Sequence, residues 1–267
     1  MKPRSSTGFG APAKKSLGQH FLHDRDVIDD LLRAIDPKPG ERLVEIGPGQ
    51  GALTLPLLQR HGALTAIEFD RDLIAPLQAA AAPFGELRII VGDVLRVDFA
   101  ALAQDDMIRL VGNLPYNLSS PILFKALDAA CVVRDMHFML QKEVVERMAA
   151  APGSKVYGRL SVMLQAYCEV VPLFDVPPGA FRPPPKVESA VVRLRPFPAA
   201  RVQVRDRARF ADVVRAAFGQ RRKTLRNALA GVCAQDAMQA AGVRPDARAE
   251  QVDVAGFVRL SNLPAVA

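Results

Sequence analysis

The chain has 267 residues, 49% hydrophobic and 24% charged, with a net charge of +7; this is ordinary globular composition and enough length for a sizeable core in one or two domains. No run approaches the ~20 consecutive apolar residues that cross a bilayer, and the opening "MKPRSSTGFGAPAKK" has no apolar core, which argues against a membrane anchor or a secretory signal. Cys131, Cys168 and Cys233 lie far apart with no CxxC and no clustered histidines, so neither a metal site nor a disulfide framework is expected, and the usage fits a cytoplasmic protein.

Residues 1–13 read as a polar, basic, disordered tail. From 14 to 198 short apolar runs alternate with helical segments. "RLVEIG" (42–47) is a strand, with a helix following through "GALTLPLLQR". "ALTAIEFD" (63–70) is the next strand, and a helix follows from Arg71 to Ala82. "LRIIVGD" (87–93), "MIRLVGN" (107–113) and "DMHFML" (135–140) are three more strands. Continuous Ile/Val/Leu runs belong to strands buried on both faces, and strands alternating with helices build a doubly wound parallel sheet. "LSVMLQAYCEVVPLFDV" and "SAVVRLRP" read as two further strands flanking the rigid loop "PPGAFRPPPKVES".

Beyond 198 the character changes. Helical segments are expected over 206–218, 221–230, 234–241 and 250–260, with Gly219, Gly231 and Gly242 at helix stops. The expectation is an α/β domain over 14–198 and a small all-helical domain over 199–267. Residues 201–267 carry 12 basic and 6 acidic side chains, and residues 1–23 carry four basic and no acidic ones. The segment between is mildly acidic. Basic ends around an acidic middle favour a polyanionic partner, nucleic acid before membrane.

Three strand ends carry candidate chemistry. "VEIGPGQGALT" puts Gly47, Gly49 and Gly51 between a strand and a helix, where glycine lets the backbone approach a ligand. Glu68 ends the next strand, placed to accept bonds from ribose hydroxyls. Asp93 ends the third; alone it would be a turn residue, but in register with the others it suits an adenine amino group. The ends of parallel strands are where ligands bind in such sheets. The pattern fits a single nucleoside such as S-adenosylmethionine, although Gly47-x-Gly49-x-x-Ala52 also satisfies the dinucleotide fingerprint, and the glycine loop alone does not separate them.

"GNLPYN" (112–117) follows the fourth strand on the same edge. The Asn113 side-chain oxygen and the Leu114 carbonyl can both accept from a planar exocyclic amine and localise its lone pair. Pro115 fixes φ and restrains Leu114 to an extended conformation. Tyr116 offers a face on which a base can stack, worth about 1–3 kcal/mol. A Pro turn with a core tyrosine is the plainer reading of the motif in isolation.

"NLPY" matches the motif of amino-directed nucleic acid methyltransferases. Together with "KKSLGQHFL", "EIGPGQGALT", "FRPPPKVES" and "FGQRRKTLRNAL" it resembles the small-subunit ribosomal RNA adenine dimethyltransferases of the KsgA type, over about residues 14 to 260. The resemblance implies a Rossmann-like S-adenosylmethionine-dependent methyltransferase domain with a small helical C-terminal domain. It implies transfer of four methyl groups to two adjacent adenosines in the 3′-terminal hairpin of 16S rRNA within the immature 30S subunit, by a protein monomeric when free.

Carried over by position, the family's cofactor contacts fall on His20, Leu22, Gly47, Glu68, Asp93 and Asn113, with His20 standing where the family commonly carries Asn. Phe181 resembles the family's second aromatic wall, opposite Tyr116; a core phenylalanine is the plainer alternative. On a helix over 221–230, Leu225 and Leu229 share a docking face and leave Arg221, Arg222, Lys223 and Arg226 for phosphate. Lys14 and Lys15 are candidates for phosphate at the other end. Competing readings are an adenine methyltransferase of 23S rRNA, an assembly factor for which methylation is secondary, and a dinucleotide oxidoreductase.

Overall fold

The computed structural model describes residues 12–14, 17–201, 203–220 and 222–264. Most of the expected N-terminal tail, Lys15 and Arg221 lie outside these residues.

In chain order the elements are β1 (Phe21–Leu22), α1 (Arg25–Ile35), β2 (Arg42–Ile46), α2 (Thr54–His61), β3 (Ala63–Glu68), α3 (Ile74–Ala81), β4 (Glu86–Val91), α4 (Phe99–Ala103), β5 (Ile108–Asn113), α5 (Ser119–Asp128), β6 (Val133–Gln141), α6 (Lys142–Ala149), α7 (Arg159–Gln165), β7 (Cys168–Val176), β8 (Phe181–Arg182), β9 (Ser189–Pro196), α8 (Arg207–Gly219), α9 (Leu225–Ala228), α10 (Gln235–Ala240) and α11 (Val254–Ser261). Two compact units result. One runs through Val145 and resumes over Val171–Pro196; the other takes in Glu146–Val170 and the chain from Phe197 onward.

The first unit holds a seven-stranded sheet in the order β4-β3-β2-β5-β6-β9-β7. β4, β3, β2, β5 and β6 are parallel, and β9 runs antiparallel to β6. The five expected parallel strands are therefore present in a doubly wound arrangement. From β2 the chain builds outward through β3 and β4, then returns to place β5 on the other side of β2. That reversal opens a crevice at the carboxyl ends of β2 and β5, the place where open α/β sheets take ligands. Gly112 permits the close approach there, since a Cβ on it would stand 2.4 Å from the Ile46 carbonyl oxygen.

Apolar side chains of α1 and α2, among them Leu31, Leu32, Leu57 and Leu58, form one core with Val111 and Val191 from the sheet. Helix α1, which is not among the elements expected from sequence, carries ordinary signals: Asp24 caps the N-terminus by accepting from the Asp26 and Val27 amides, and Val27, Ile28, Leu31, Leu32 and Ile35 make one buried stripe. At the amino end of β5, Arg109 is buried and fully paired. It donates to both Asp135 oxygens at 2.9 and 3.0 Å, to Glu41 at 2.6 Å and to the Ile35 carbonyl at 2.6 Å.

Three expectations are corrected. "LSVMLQ" is helix α7, not strand, because Ser161 accepts from the Gly158 amide at 3.1 Å to start a helical turn whose Val162, Met163 and Leu164 are buried. An apolar run of this length cannot be told from a strand by periodicity. Residues 146–170 group with the helical unit rather than with the rest of 14–198. The helix expected over 221–230 is only α9; Leu225 and Leu229 are buried as expected, but Arg222 and Lys223 precede the helix in a turn.

Candidate functional site

The crevice is a cavity of about 280 Å³. Its walls include His20, Leu22, Gly47, Glu68, Asp93, Asn113, Leu114 and Tyr116, so eight of the residues singled out by sequence converge on one space. The strand ends supply them in spatial order, because β2, β3, β4 and β5 terminate along one edge of the sheet.

Gly47 turns out of β2 with φ +69°, and Gly49 follows at +56°, values that favour glycine. The loop's amides are largely spoken for. Gly47 donates to the Ile67 carbonyl at 3.0 Å, Gly51 to the Pro48 carbonyl at 2.9 Å, and Gly49 to Glu68 Oε2 at 3.1 Å. A pyrophosphate needs free amides and a positive field. This loop offers bonded glycine amides beside a carboxylate, which argues against the dinucleotide reading that sequence left open.

Glu68 is buried, and its other oxygen accepts the Asp70 amide at 2.7 Å. Burial pushes its pKa up, against the pull of the Asp70 and Gly49 amides. Glu45, on β2, is fully buried and accepts from the Thr54 hydroxyl at 2.7 Å; burial raises its pKa to about 8, and the Glu68 charge adds to the rise. Asp93 uses one oxygen to accept the Leu95 amide at 2.9 Å, starting a single 3₁₀ turn, and still lines the cavity.

The opposite wall is a strap, residues 17–22, that sequence had marked only at His20 and Leu22. Its two-residue strand β1 pairs antiparallel with β8, Phe21 opposite Arg182 and Leu22 opposite Phe181. Strand alternation sends successive side chains to opposite sides. Leu22 enters the core with Phe181, whereas the Phe21 ring faces Gly49, where a Cβ would lie 3.2 Å from it. Phe21 is thus a cavity residue that sequence missed.

At the fourth strand end the Asn113 side-chain amide donates to the His20 carbonyl at 2.9 Å. Leu114 is anchored by its own amide, which donates to the Met139 carbonyl at 3.1 Å. The Tyr116 hydroxyl meets the Ser189 hydroxyl at 2.6 Å, and its ring stacks on His20 with centroids 5.4 Å apart and planes 25° from parallel. His20 Nδ1 lies 2.8 Å from the Pro183 carbonyl, which fixes the imidazole in this stack.

Phe181 departs from expectation. It is 1% exposed, sits in the core with Leu22 and Leu31, and is not part of the cavity wall. The pairing of β8 with β1 turns its ring inward. Lys14 is likewise not free for phosphate: it donates to Asp70 at 2.6 Å and to Asp72 at 2.7 Å.

In the helical unit Arg222, Lys223 and Arg226 are exposed. The Leu225 and Arg226 amides donate to the Ala247 and Pro245 carbonyls, and Thr224 bridges Arg248, so the 222–226 segment is stitched to 245–248 and exposed Arg248 joins the basic cluster. Among the described residues no group of His, Cys, Asp and Glu could hold a metal, and no helix is long and apolar enough to cross a membrane.

A doubly wound sheet with carboxylates at successive strand ends and an Asn-Leu-Pro-Tyr turn at its switch point defines a Rossmann-like methyltransferase fold. The chain belongs to the ribosomal RNA adenine dimethylase family, whose model matches residues 10–265. It is 73% identical over 258 residues to the Ribosomal RNA small subunit methyltransferase A of Xanthomonas campestris pv. campestris (strain B100), covering 97% of this chain and 98% of that one. Among solved structures it is similar to a dimethyladenosine transferase from Plasmodium falciparum, with a TM-score of 0.79 and 24% identity over 90% of this chain and 96% of that chain. It is also similar to the 23S rRNA methyltransferase ErmE, with a TM-score of 0.70 and 25% identity over 90% of this chain and 98% of that chain.

Proposed function

We propose that this protein transfers methyl groups from S-adenosylmethionine to the 6-amino groups of two adjacent adenosines in the 3′-terminal hairpin of 16S rRNA. It acts in the cytoplasm, as a monomer when free, on the immature small subunit. The observation that carries this reading is the bond from Asn113 to the His20 carbonyl. A carbonyl only accepts, so the amide nitrogen is committed to His20, and Oδ1 becomes the acceptor end of the side chain. An acceptor held this way beside a nucleoside pocket suits an amine substrate. The 73% identical relative named as a small-subunit rRNA methyltransferase supports the choice of RNA.

The donor set fits the cofactor. Glu68, two carboxylate oxygens at the end of β3, suits a ribose diol; Asp93 suits the adenine amine; His20, Leu22, Gly47 and Asn113 enclose the remainder. When bound, S-adenosylmethionine supplies a sulfonium-activated methyl group. This chain's residues then orient the acceptor. Asn113 Oδ1 and the Leu114 carbonyl accept the two amine hydrogens and localise the nitrogen lone pair. Tyr116 stacks on the base, its hydroxyl held by Ser189. The amine loses its proton to water after methylation, so no dedicated base is required. Phe181 backs the strap through Leu22 instead of facing the base. Arg222, Lys223 and Arg226, with Arg221 beside them in sequence, take the RNA backbone.

Incubating the protein with tritiated S-adenosylmethionine and undermethylated small subunits, then mapping the label, tests the assignment. Dimethyladenosine in the 3′-terminal hairpin is expected. Label only in large-subunit RNA, or none in adenine, would overturn it.

A further inference from the structure

We propose that Lys14 is a positioning residue of the cofactor pocket, acting through Asp70 to hold the 17–22 strap closed over the bound nucleoside. This rests on the S-adenosylmethionine reading above. The strap is pinned at two ends. At the methyl-transfer end His20 is held by Asn113, Tyr116 and Pro183. At the ribose end the fastening is a cluster around Asp70. Lys14 Nζ donates to Asp70 Oδ1 at 2.6 Å, Gln19 Nε2 donates to Asp70 Oδ2 at 2.9 Å, and the Lys14 amide donates to Gln19 Oε1 at 2.8 Å.

This is not an ordinary surface ion pair. The Lys14 side chain is 40% exposed, but that of Asp70 is only 4% exposed. A buried carboxylate stripped of its cation is costly, whereas two exposed partners separate with little loss. The cluster also reaches Glu68 directly, because the Asp70 amide donates to Glu68 Oε1, and Glu68 Oε2 accepts from Gly49. A continuous chain of bonds therefore runs from Lys14 through Asp70 and Glu68 to the glycine loop on the far side of the cavity. Removing the Lys14 cation leaves Asp70 held by the weaker neutral bond from Gln19, and so loosens the fastening of the Leu17–Gln19 wall while leaving the Asn113 end fastened. The effect falls on cofactor retention and not on the chemical step.

Isothermal titration of S-adenosylmethionine, with stopped-flow release, on the wild-type protein and on Lys14→Ala, Lys14→Arg and Asp72→Asn tests this. Lys14→Ala is expected to raise Kd about tenfold, mostly through faster release, as befits loss of a charge-assisted bond to a buried carboxylate. Its kcat at saturating cofactor and its affinity for small subunits should stay within about twofold, Lys14→Arg should restore binding, and Asp72→Asn, which removes the exposed partner, should fall between. An unchanged Kd in Lys14→Ala overturns the clamp, and so does a loss confined to subunit affinity, which would make Lys14 a phosphate contact. A wild-type protein that fails to bind S-adenosylmethionine overturns the cofactor reading itself.

Discussion

Asn113 and His20 are 93 positions apart in sequence, yet the Asn113 amide nitrogen lies 2.9 Å from the His20 carbonyl oxygen. One short bond thereby joins the end of β5 to the strap and sets which end of the asparagine can accept a hydrogen. The imidazole of His20 is occupied separately, against Pro183 and Tyr116, so the contact with Asn113 uses only backbone. The bond to Asn113 therefore does not depend on the side chain at position 20.

Asn113→Ala removes both the acceptor and the strap anchor. Methyl transfer in single-turnover assays should fall about 10²–10³-fold, the usual cost of losing one preorganised polar contact at a reacting centre. Cofactor binding should weaken only severalfold, because the Asp70 end still holds. Titration and rapid-quench measurements on the same preparation separate the two.

Tyr116→Ala and Tyr116→Phe should differ. Alanine loses the stacking face, and the RNA concentration for half-maximal rate should rise by a factor corresponding to about 1–3 kcal/mol. Phenylalanine keeps the ring and loses only the Ser189 hydrogen bond, so the rise should be a few-fold.

Arg109 lies at the opposite end of β5 from the site. Replacing it with Met strands Asp135 and Glu41 as buried or half-buried carboxylates, and thermal unfolding should show a loss of about 3–5 kcal/mol. Both carboxylates have lowered pKa values: burial opposes, but neighbouring His137, 3.6 Å away, and the Arg109 bonds outweigh it for Asp135, and the Lys38 amide and Arg109 do so for Glu41. Their contribution is therefore present above the ordinary carboxylate range and is lost as pH falls through the folded values. The Arg109→Met variant should show a flatter acid limb.

Glu45 has the opposite sign. Its folded pKa of about 8 lies above the unfolded value of 4.5, so the folded state holds a proton that the unfolded state releases. Stability should decline as pH rises through that window. In the cofactor-free protein Glu45→Gln should abolish this decline and be more stable than wild type at pH 8 by roughly 2–4 kcal/mol, given ~1.4 kcal/mol per unit and incomplete desolvation. Melting curves between pH 5 and 8 check the crossover.

Neutralising Arg222, Lys223 or Arg226 singly should weaken RNA binding about equally for all sequences and lower the salt slope by ~1 per residue. Cofactor titrations should be unaffected. Filter binding at several salt concentrations reads both.

The cavity was readable because strand order and strand ends are local properties: Gly47, Glu68, Asp93 and Asn113 each close an apolar run, and parallel pairing then lines them up. The strap was not readable as a wall. Lys14 meets Asp70 across 56 positions, and nothing in either segment marks the other as its partner. Phe181 was placed on the wrong side because which way a ring faces in β8 depends on pairing with β1, a strand too short to announce itself. Leu160–Gln165 and the 221–230 segment failed for a related reason. Apolar and basic periodicity reports which residues are buried, and it did so for Leu225 and Leu229, but it does not report how far a helix continues.

Strand β1 has only two residues, and they face opposite ways: the Phe21 ring lies against Gly49, while Leu22 joins the core with Phe181 and borders the cavity from that side. With His20 held in place, inserting one residue before Phe21 would set the new residue against Gly49, turn the Phe21 ring into the core slot of Leu22 and carry Leu22 past the end of the strand. The spacing from His20 to Leu22 is therefore as much a part of the pocket as any side chain in it.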